Sequence, residues 1–174
     1  MTALMALGTV ACSTQKQPNT VDRVIDNSRQ TVASVVAGEQ RFGKLAWALA
    51  DTQLAPVLDG QGDYTLLAFE DAGFAKLGEK ADQLSSVAER PLLAAILRAH
   101  ILPGQVTPDS IRAAIARADG PVEMRTMAGD TVTFSQDGER LTVSNGPVTA
   151  RIEPDAVAAV NGAVLPIDSV LMPG

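Results

Sequence analysis

A chain of 174 residues with a formal net charge of −6 has room for one domain with a substantial core and a tail, and its acidity argues against nucleic acid or anionic lipid as a partner, since both call for a basic face. Hydrophobic residues make up 46% but aromatics only 3%, so the core must be built from Val, Leu, Ile and Ala. No apolar run approaches the roughly 20 residues that span a bilayer, and one cysteine, Cys12, leaves no internal disulfide framework.

The chain begins with an apolar segment, Met1–Ala11, and Gly8-Thr9-Val10-Ala11-Cys12 resembles a bacterial lipobox, in which a small residue precedes a cysteine that is lipidated and becomes the new N-terminus. On this reading Cys12 is the lipidation site of an extracytoplasmic, membrane-anchored lipoprotein of the periplasm or cell surface. Two features depart from the pattern: no Lys or Arg precedes the apolar run, and Thr9 stands where Leu is usual. The segment is also short for a signal peptide, which points to a start codon upstream. The alternatives are another export signal, giving a secreted protein, or a free N-terminus with an incidental thiol. Ser13–Thr20 is polar and contains proline, as a flexible spacer does. Val21, Val24, Ile25, Ser28, Val32, Val35 and Val36 then fall near one helical face, as one helix or as two broken near Asn27-Ser28. Residues 1–12, 13–30 and 31–173 are thus expected to be a leader, a spacer with an extra helix, and a single domain.

Phe42, Leu45, Ala46 and Leu49 mark an amphipathic helix, with Trp47 off the stripe, either packed against a second neighbour or exposed at a binding surface. Asp59–Asp63 is a turn-rich break. Tyr64–Phe69 has the length of a buried strand and runs into Glu70-Asp71, with Asp71 placed to N-cap a helix that carries Phe74 and Leu77. Gly78–Asp82 reads as a solvated loop and Leu84–Ala88 as a short helix. Glu89–His100 is a helix with Leu93, Ile96, Leu97 and His100 on one face, and Pro103-Gly104 forces a turn. Thr107-Pro108-Asp109 combines an N-cap, a first-turn proline and a first-turn acid, opening a helix that Gly120-Pro121 closes.

Beyond Pro121 the period drops to 2. Strands are expected around Val122–Thr126, Thr131–Ser135, Leu141–Val143 and Val148–Ile152, with Asp137-Gly138 and Asn145-Gly146 as hairpin turns. Pro154–Val160 reads as a brief helical turn. Ala163–Leu171 is apolar on both faces, hence central or covered, although Pro166 within it suggests a bulge or an edge. Helices followed by hairpins mean α+β.

Three stretches resemble the fasciclin domain, an extracellular adhesion module: Thr65–Leu77; Ile96–Val106, with its histidine, two apolar residues and Pro-Gly; and the closing Asn161–Pro173, Asn-Gly followed by Ile-Asp-Ser-Val-Leu-Met-Pro. The resemblance implies N-terminal helices packed on a mostly antiparallel sheet or wedge made from C-terminal hairpins. It implies structural roles for Thr65, Asp71, Phe74, His100, Pro103, Gly104, Asn161, Gly162, Ile167, Asp168, Val170, Leu171 and Pro173, with His100 hydrogen-bonded to backbone so as to fix its helix on the sheet. Leu67-Ala68-Phe69 replaces the family's Phe-Ala-Pro. Ala99 stands where a tyrosine commonly precedes the histidine, and Leu165 where the closing strand commonly has a histidine. Glu153-Pro154-Asp155 resembles an integrin-recognition tripeptide of some animal members but lacks the Ile-Met that follows there, and its proline and aspartate suit a strand-to-turn transition.

His100, the sole histidine, lies on an apolar helix face, where a satisfied core residue is a better account than a catalyst. Glu70 and Asp71 are adjacent rather than facing across a pocket, and Asp22 and Asp26 share an exposed helix face; neither pair has the separation that acid–base hydrolysis needs. Gly60-Gln61-Gly62 lacks the rest of a phosphate-binding loop, and Asp137-Gly138 is too short for a calcium loop. The expectation is a non-enzymatic module without cofactor or metal. It would be lipid-anchored at Cys12 in a bacterial envelope and bind a protein or surface glycan through Ala99, His100, Pro103, Gly104 and Gln105. The alternative is a periplasmic accessory or scaffolding protein of an envelope complex, which the loss of the Tyr-His pair at Ala99 favours.

Overall fold

The structure, a computed structural model, describes residues 25–27 and 29–172. It opens with strand β1 (Ile25–Asn27), followed by helices α1 (Val32–Gly38), α2 (Gly43–Asp51) and α3 (Ala55–Leu58). Strand β2 (Tyr64–Phe69) leads into α4 (Asp71–Ala75), α5 (Glu79–Leu84) and α6 (Arg90–Ala99), and the short β3 (Ile101–Pro103) into α7 (Pro108–Ala118). The chain closes with β4 (Val122–Arg125), β5 (Thr131–Asp137), β6 (Arg140–Asn145), β7 (Val148–Ile152), β8 (Val157–Ala159) and β9 (Gly162–Ile167). The expected α+β architecture is present.

Strand β9 is the axis. All six of its residues are buried, and it pairs along its whole length in parallel with β2, from Tyr64↔Gly162 to Phe69↔Ile167. Its other edge is shared: β8 pairs with its first half (Val157↔Val164) and β7 with its end (Ile152↔Ile167). A strand covered on both faces needs the continuous apolar run seen here rather than an alternation. Pro166 therefore sits in a central strand, not at the edge or bulge anticipated for it. Its carbonyl accepts from the Glu153 N–H at 2.8 Å, on the edge where β7 gives way to β8, so its missing N–H falls at a seam in the pairing.

From β7 outward, β6, β5 and β4 form the expected antiparallel ladder. Their alternation puts Val132, Phe134, Leu141, Val143, Ala150 and Ile152 in one core, with α7 packed over β4 and β5. The capping box of α7 is complete: Thr107 Oγ1 accepts from the Ser110 N–H, and Ser110 Oγ from the Thr107 N–H.

Several local readings are corrected. Ile25–Asn27 is a strand paired in parallel with β8, not part of a helix, and Val157–Ala159 is its partner strand, not a helical turn. Residues 79–84 are helical rather than a loop, and a 3-10 turn at Val87–Glu89 replaces the short helix expected at Leu84–Ala88. Asp71 does not cap its own helix. The N-cap of α4 is Glu70, and the Asp71 carboxylate instead accepts the Lys44 N–H in the first turn of α2 at 2.7 Å. For the two strands and for Asp71, a partner distant in sequence outweighs a weak local preference.

Candidate functional site

The residues that the three motif stretches share converge where β2, β3 and β9 meet. Thr65, fully buried in β2, donates from Oγ1 to the Gly104 carbonyl at 2.8 Å and accepts the Val106 N–H at 2.7 Å. The Gly104 N–H donates to the Asp63 carbonyl at 2.8 Å, and Gly104 takes φ +88°, where glycine avoids the penalty of a side chain. One hydroxyl therefore seats the turn after β3 on the start of β2. Pro103 and Gln105 are exposed on that turn, Gly104 is half-buried, and Gln105 Nε2 donates to the Gly162 carbonyl at 3.2 Å.

His100 caps the C-terminus of α6 and is fully buried. Its Nδ1–H donates to the Ile96 carbonyl at 2.8 Å and its Nε2 accepts the Leu171 N–H at 3.0 Å, an arrangement that requires the neutral ring. The edge of the ring meets Phe69, 5.3 Å between centroids, and Phe69 stacks on Phe74 at 5.7 Å. Burial pushes the His100 pKa down to about 4, against a smaller opposing effect of the bond to Ile96. With both nitrogens committed to backbone, the imidazole has no lone pair or proton for a substrate. Ala99 is equally buried. Both are therefore removed from the expected contact surface, because the last turn of α6 packs inward; of that set only Pro103, Gly104 and Gln105 reach solvent.

Asn161 is the second buried hub. Its Oδ1 accepts the Val32 N–H at 2.9 Å, and its Nδ2 donates to the Leu58 and Gly60 carbonyls, each at 2.8 Å. It thereby ties α1, α3 and the following turn to the entry of β9. Gly162 follows at φ +147°, where a Cβ would lie 1.7 Å from the Tyr64 carbonyl oxygen. Ile167, Val170 and Leu171 are core residues. Asp168 Oδ1 accepts the Arg151 N–H at 2.8 Å and Oδ2 lies 3.6 Å from Lys76 Nζ. Burial opposes its charge, but the Arg151 N–H, Lys76 and Ser169 outweigh it and hold the carboxyl below the usual range. Cys12 and Pro173 lie outside the described residues.

Asp155 of the Glu-Pro-Asp tripeptide is committed to Arg41, which also binds Glu39 at 2.7 Å and Glu70 at 3.3 Å while lying over the Phe42 ring. This ion cluster was not legible in the sequence, since Arg41 and Asp155 are 114 positions apart. Among the described residues, no three His, Cys, Asp or Glu side chains group as they would to hold a metal, and no helix is long and apolar enough to cross a membrane. Concavities mark the surface of the described residues. One, of about 220 Å³, lies between α7 and the β6–β7 ladder beside Arg112, Arg140 and Arg151. Another, of about 420 Å³, lies between the end of α2 and the start of α6. Trp47 is 40% exposed on α2.

A family model described as Fasciclin domain matches residues 40–173. The chain is 29% identical over 154 residues to the transforming growth factor-beta-induced protein ig-h3 of Sus scrofa, covering 88% of this chain and 21% of that one. It is 30% identical over 164 residues to the cell surface glycolipoprotein MPB83 of Mycobacterium bovis, covering 91% of this chain and 67% of that one. Among solved structures, a FAS1 domain pair from the insect cell adhesion molecule fasciclin I superposes with a TM-score of 0.74 at 15% identity, over 83% of this chain and 51% of that one. The chain thus spans about a fifth of the pig relative and about half of the insect chain.

Proposed function

The chain belongs to the fasciclin domain family, and on that premise we propose that it is a binding module displayed outside the cytoplasm, engaging a protein or surface glycan without turnover. The observation that carries this reading is the family match over residues 40–173 together with the names of its relatives: one is a cell surface glycolipoprotein and another a cell adhesion molecule. The closure of His100 supports binding rather than catalysis, because its two nitrogens hold backbone groups.

The lipobox-like Gly8–Cys12 supports a lipid anchor at Cys12, with Ser13–Thr20 as the spacer that lets the domain stand clear of a bacterial membrane. The exposed Pro103 and Gln105 turn, seated by Thr65, is a rigid edge available to a partner. Intact mass of the native protein from membrane and soluble fractions tests the anchor. A membrane-bound species beginning at Cys12 and carrying acyl chains is expected; an unmodified soluble species retaining Met1 overturns it. Binding of the purified domain to envelope polymers and envelope proteins tests the rest, and binding to none of them removes the module reading.

A further inference from the structure

The concavity between α2 and α6, with its flank on α2, brings three features together. First, its charges cancel. Arg90 donates from Nε and Nη2 to Asp51 Oδ2 and Oδ1, each at 2.8 Å, so a carboxylate and a guanidinium stand in one wall as a neutral, planar, bidentate unit. The remaining lone pairs of Asp51 and the N–H groups of Arg90 not used in that pair can each serve a hydroxyl.

Second, α2 ends in a left-handed residue that is not glycine. Gln53 has φ +58°, with its N–H on the Ala50 carbonyl at 3.2 Å and the Leu54 N–H on the Leu49 carbonyl at 2.9 Å. That position after a helix favours glycine, and any side chain there is strained. The side chain held at this cost is an exposed amide at the rim of the concavity.

Third, the polar groups have apolar neighbours: Val87, Pro91 and Ala94 line the groove, and Trp47, 40% exposed and one helical turn before Asp51 on α2, flanks it. The volume, about 420 Å³, falls among those of small-ligand sites, ~300–1,000 Å³.

A flat apolar ring beside fixed, mutually neutralised donors and acceptors is complementary to a pyranose, which has a C–H face and a rim of hydroxyls that each donate and accept. We propose that this groove binds a neutral sugar residue of a glycan, its ring on Trp47 and its hydroxyls on the Asp51–Arg90 pair and the Gln53 amide. An anionic sugar would meet the Asp51 carboxylate and a cationic one the Arg90 guanidinium, so neutrality is part of the inference. It rests on the binding-module reading and names a ligand class and a surface for it.

Trp47 is the only tryptophan, so its fluorescence reports on a ligand that reaches from the groove onto its flank. The full protein is titrated with neutral oligosaccharides (gluco-, manno- and galacto-oligosaccharides) and with oligogalacturonate as the anionic control, and binding is repeated calorimetrically for the variants. At least one neutral series is expected to shift the emission saturably. Trp47→Ala is expected to weaken binding by about tenfold or more, and Gln53→Gly to weaken it while leaving Tm unchanged or raised, which separates recognition from folding. Preference for the anionic series, or binding unaffected by both variants, overturns the site. Binding of an envelope protein but of no sugar also overturns it and leaves the module reading intact; binding of neither overturns both.

Discussion

The Asp71 carboxylate accepts the backbone N–H of Lys44 at 2.7 Å, so the first turn of α4 caps the first turn of α2 across 27 positions of sequence. Gly43, the residue before Lys44, leaves room for this approach: a Cβ there would lie 3.1 Å from Asp71 Oδ2. The bond has the chemistry of an N-cap, with the acceptor supplied by another helix. Asp71→Ala is expected to lower stability by about 1 kcal/mol, and Asp71→Asn, which keeps the oxygen, by less. Urea denaturation of the two variants checks it; equal losses would mean that the carbonyl oxygen cannot replace the carboxylate.

The His100 pKa, pushed down to about 4 in the fold, lies below its value of about 6.5 in the unfolded chain. The unfolded state therefore binds the extra proton between those values, and stability must fall as pH falls from about 6.5 towards 4. The contribution is fully present above about pH 6.5. His100→Gln is expected to be less stable at pH 7 by about 1–3 kcal/mol and to lose this part of the pH dependence. Unfolding free energies measured from pH 7.5 to 4.5 on both proteins check it, and parallel curves would contradict the neutral buried ring.

Asn161 satisfies one buried donor and two carbonyls. Asn161→Ala is expected to cost about 3 kcal/mol, since it leaves those groups without partners. Asn161→Asp would turn a carboxylate towards the Leu58 and Gly60 carbonyls, so its loss should shrink as the pH approaches 4 and the new group protonates. A loss independent of pH would show that the segment around Gly60 rearranges to relieve the contact.

At Gly162 no side chain fits, because the Tyr64 carbonyl oxygen occupies the place of a Cβ and φ is +147°. Gly162→Ala must shift the β2–β9 pairing and is expected to cost at least about 4 kcal/mol. By contrast, Gly104→Ala, with open space around the Cβ and φ +88°, carries backbone strain alone, about 1–2 kcal/mol. Thermal melts of the two variants rank the effects; the reverse order would refute the register.

Arg41 gathers Glu39, Glu70 and Asp155, joining the start of α2 to the end of β2 and to the loop before β8. Arg41→Lys keeps the charge but not the fork that meets three carboxylates. A loss of about 1–2 kcal/mol is expected, smaller in ~1 M salt where carboxylate repulsion is screened. Denaturation at two ionic strengths reads it directly.

What the sequence by itself determined is the part governed by neighbours in the chain. The 3.6-residue period set α2 and α6, Thr107-Pro108-Asp109 opened α7, the glycines of Asp137-Gly138 and Asn145-Gly146 marked the hairpins, whose loops are Gly138-Glu139 and Gly146-Pro147, and the two-faced apolar run announced β9 as central. Helix periods, caps and two-residue turns depend on contacts a few positions long, and local composition suffices for them. The tertiary structure decided whatever depends on a distant partner. Ile25–Asn27 and Val157–Ala159 are strands because each pairs with the other and the second also with β9; alone, three-residue segments have no period to show. Asp71 looked like a cap and is one, but for a helix that precedes it. Ala99 and His100 sit close to a surface turn in sequence but in the core in space, because the last turn of α6 must bury its apolar face. The strained Gln53 came to line a groove, with Trp47 on its flank, only when α6 was laid against the end of α2.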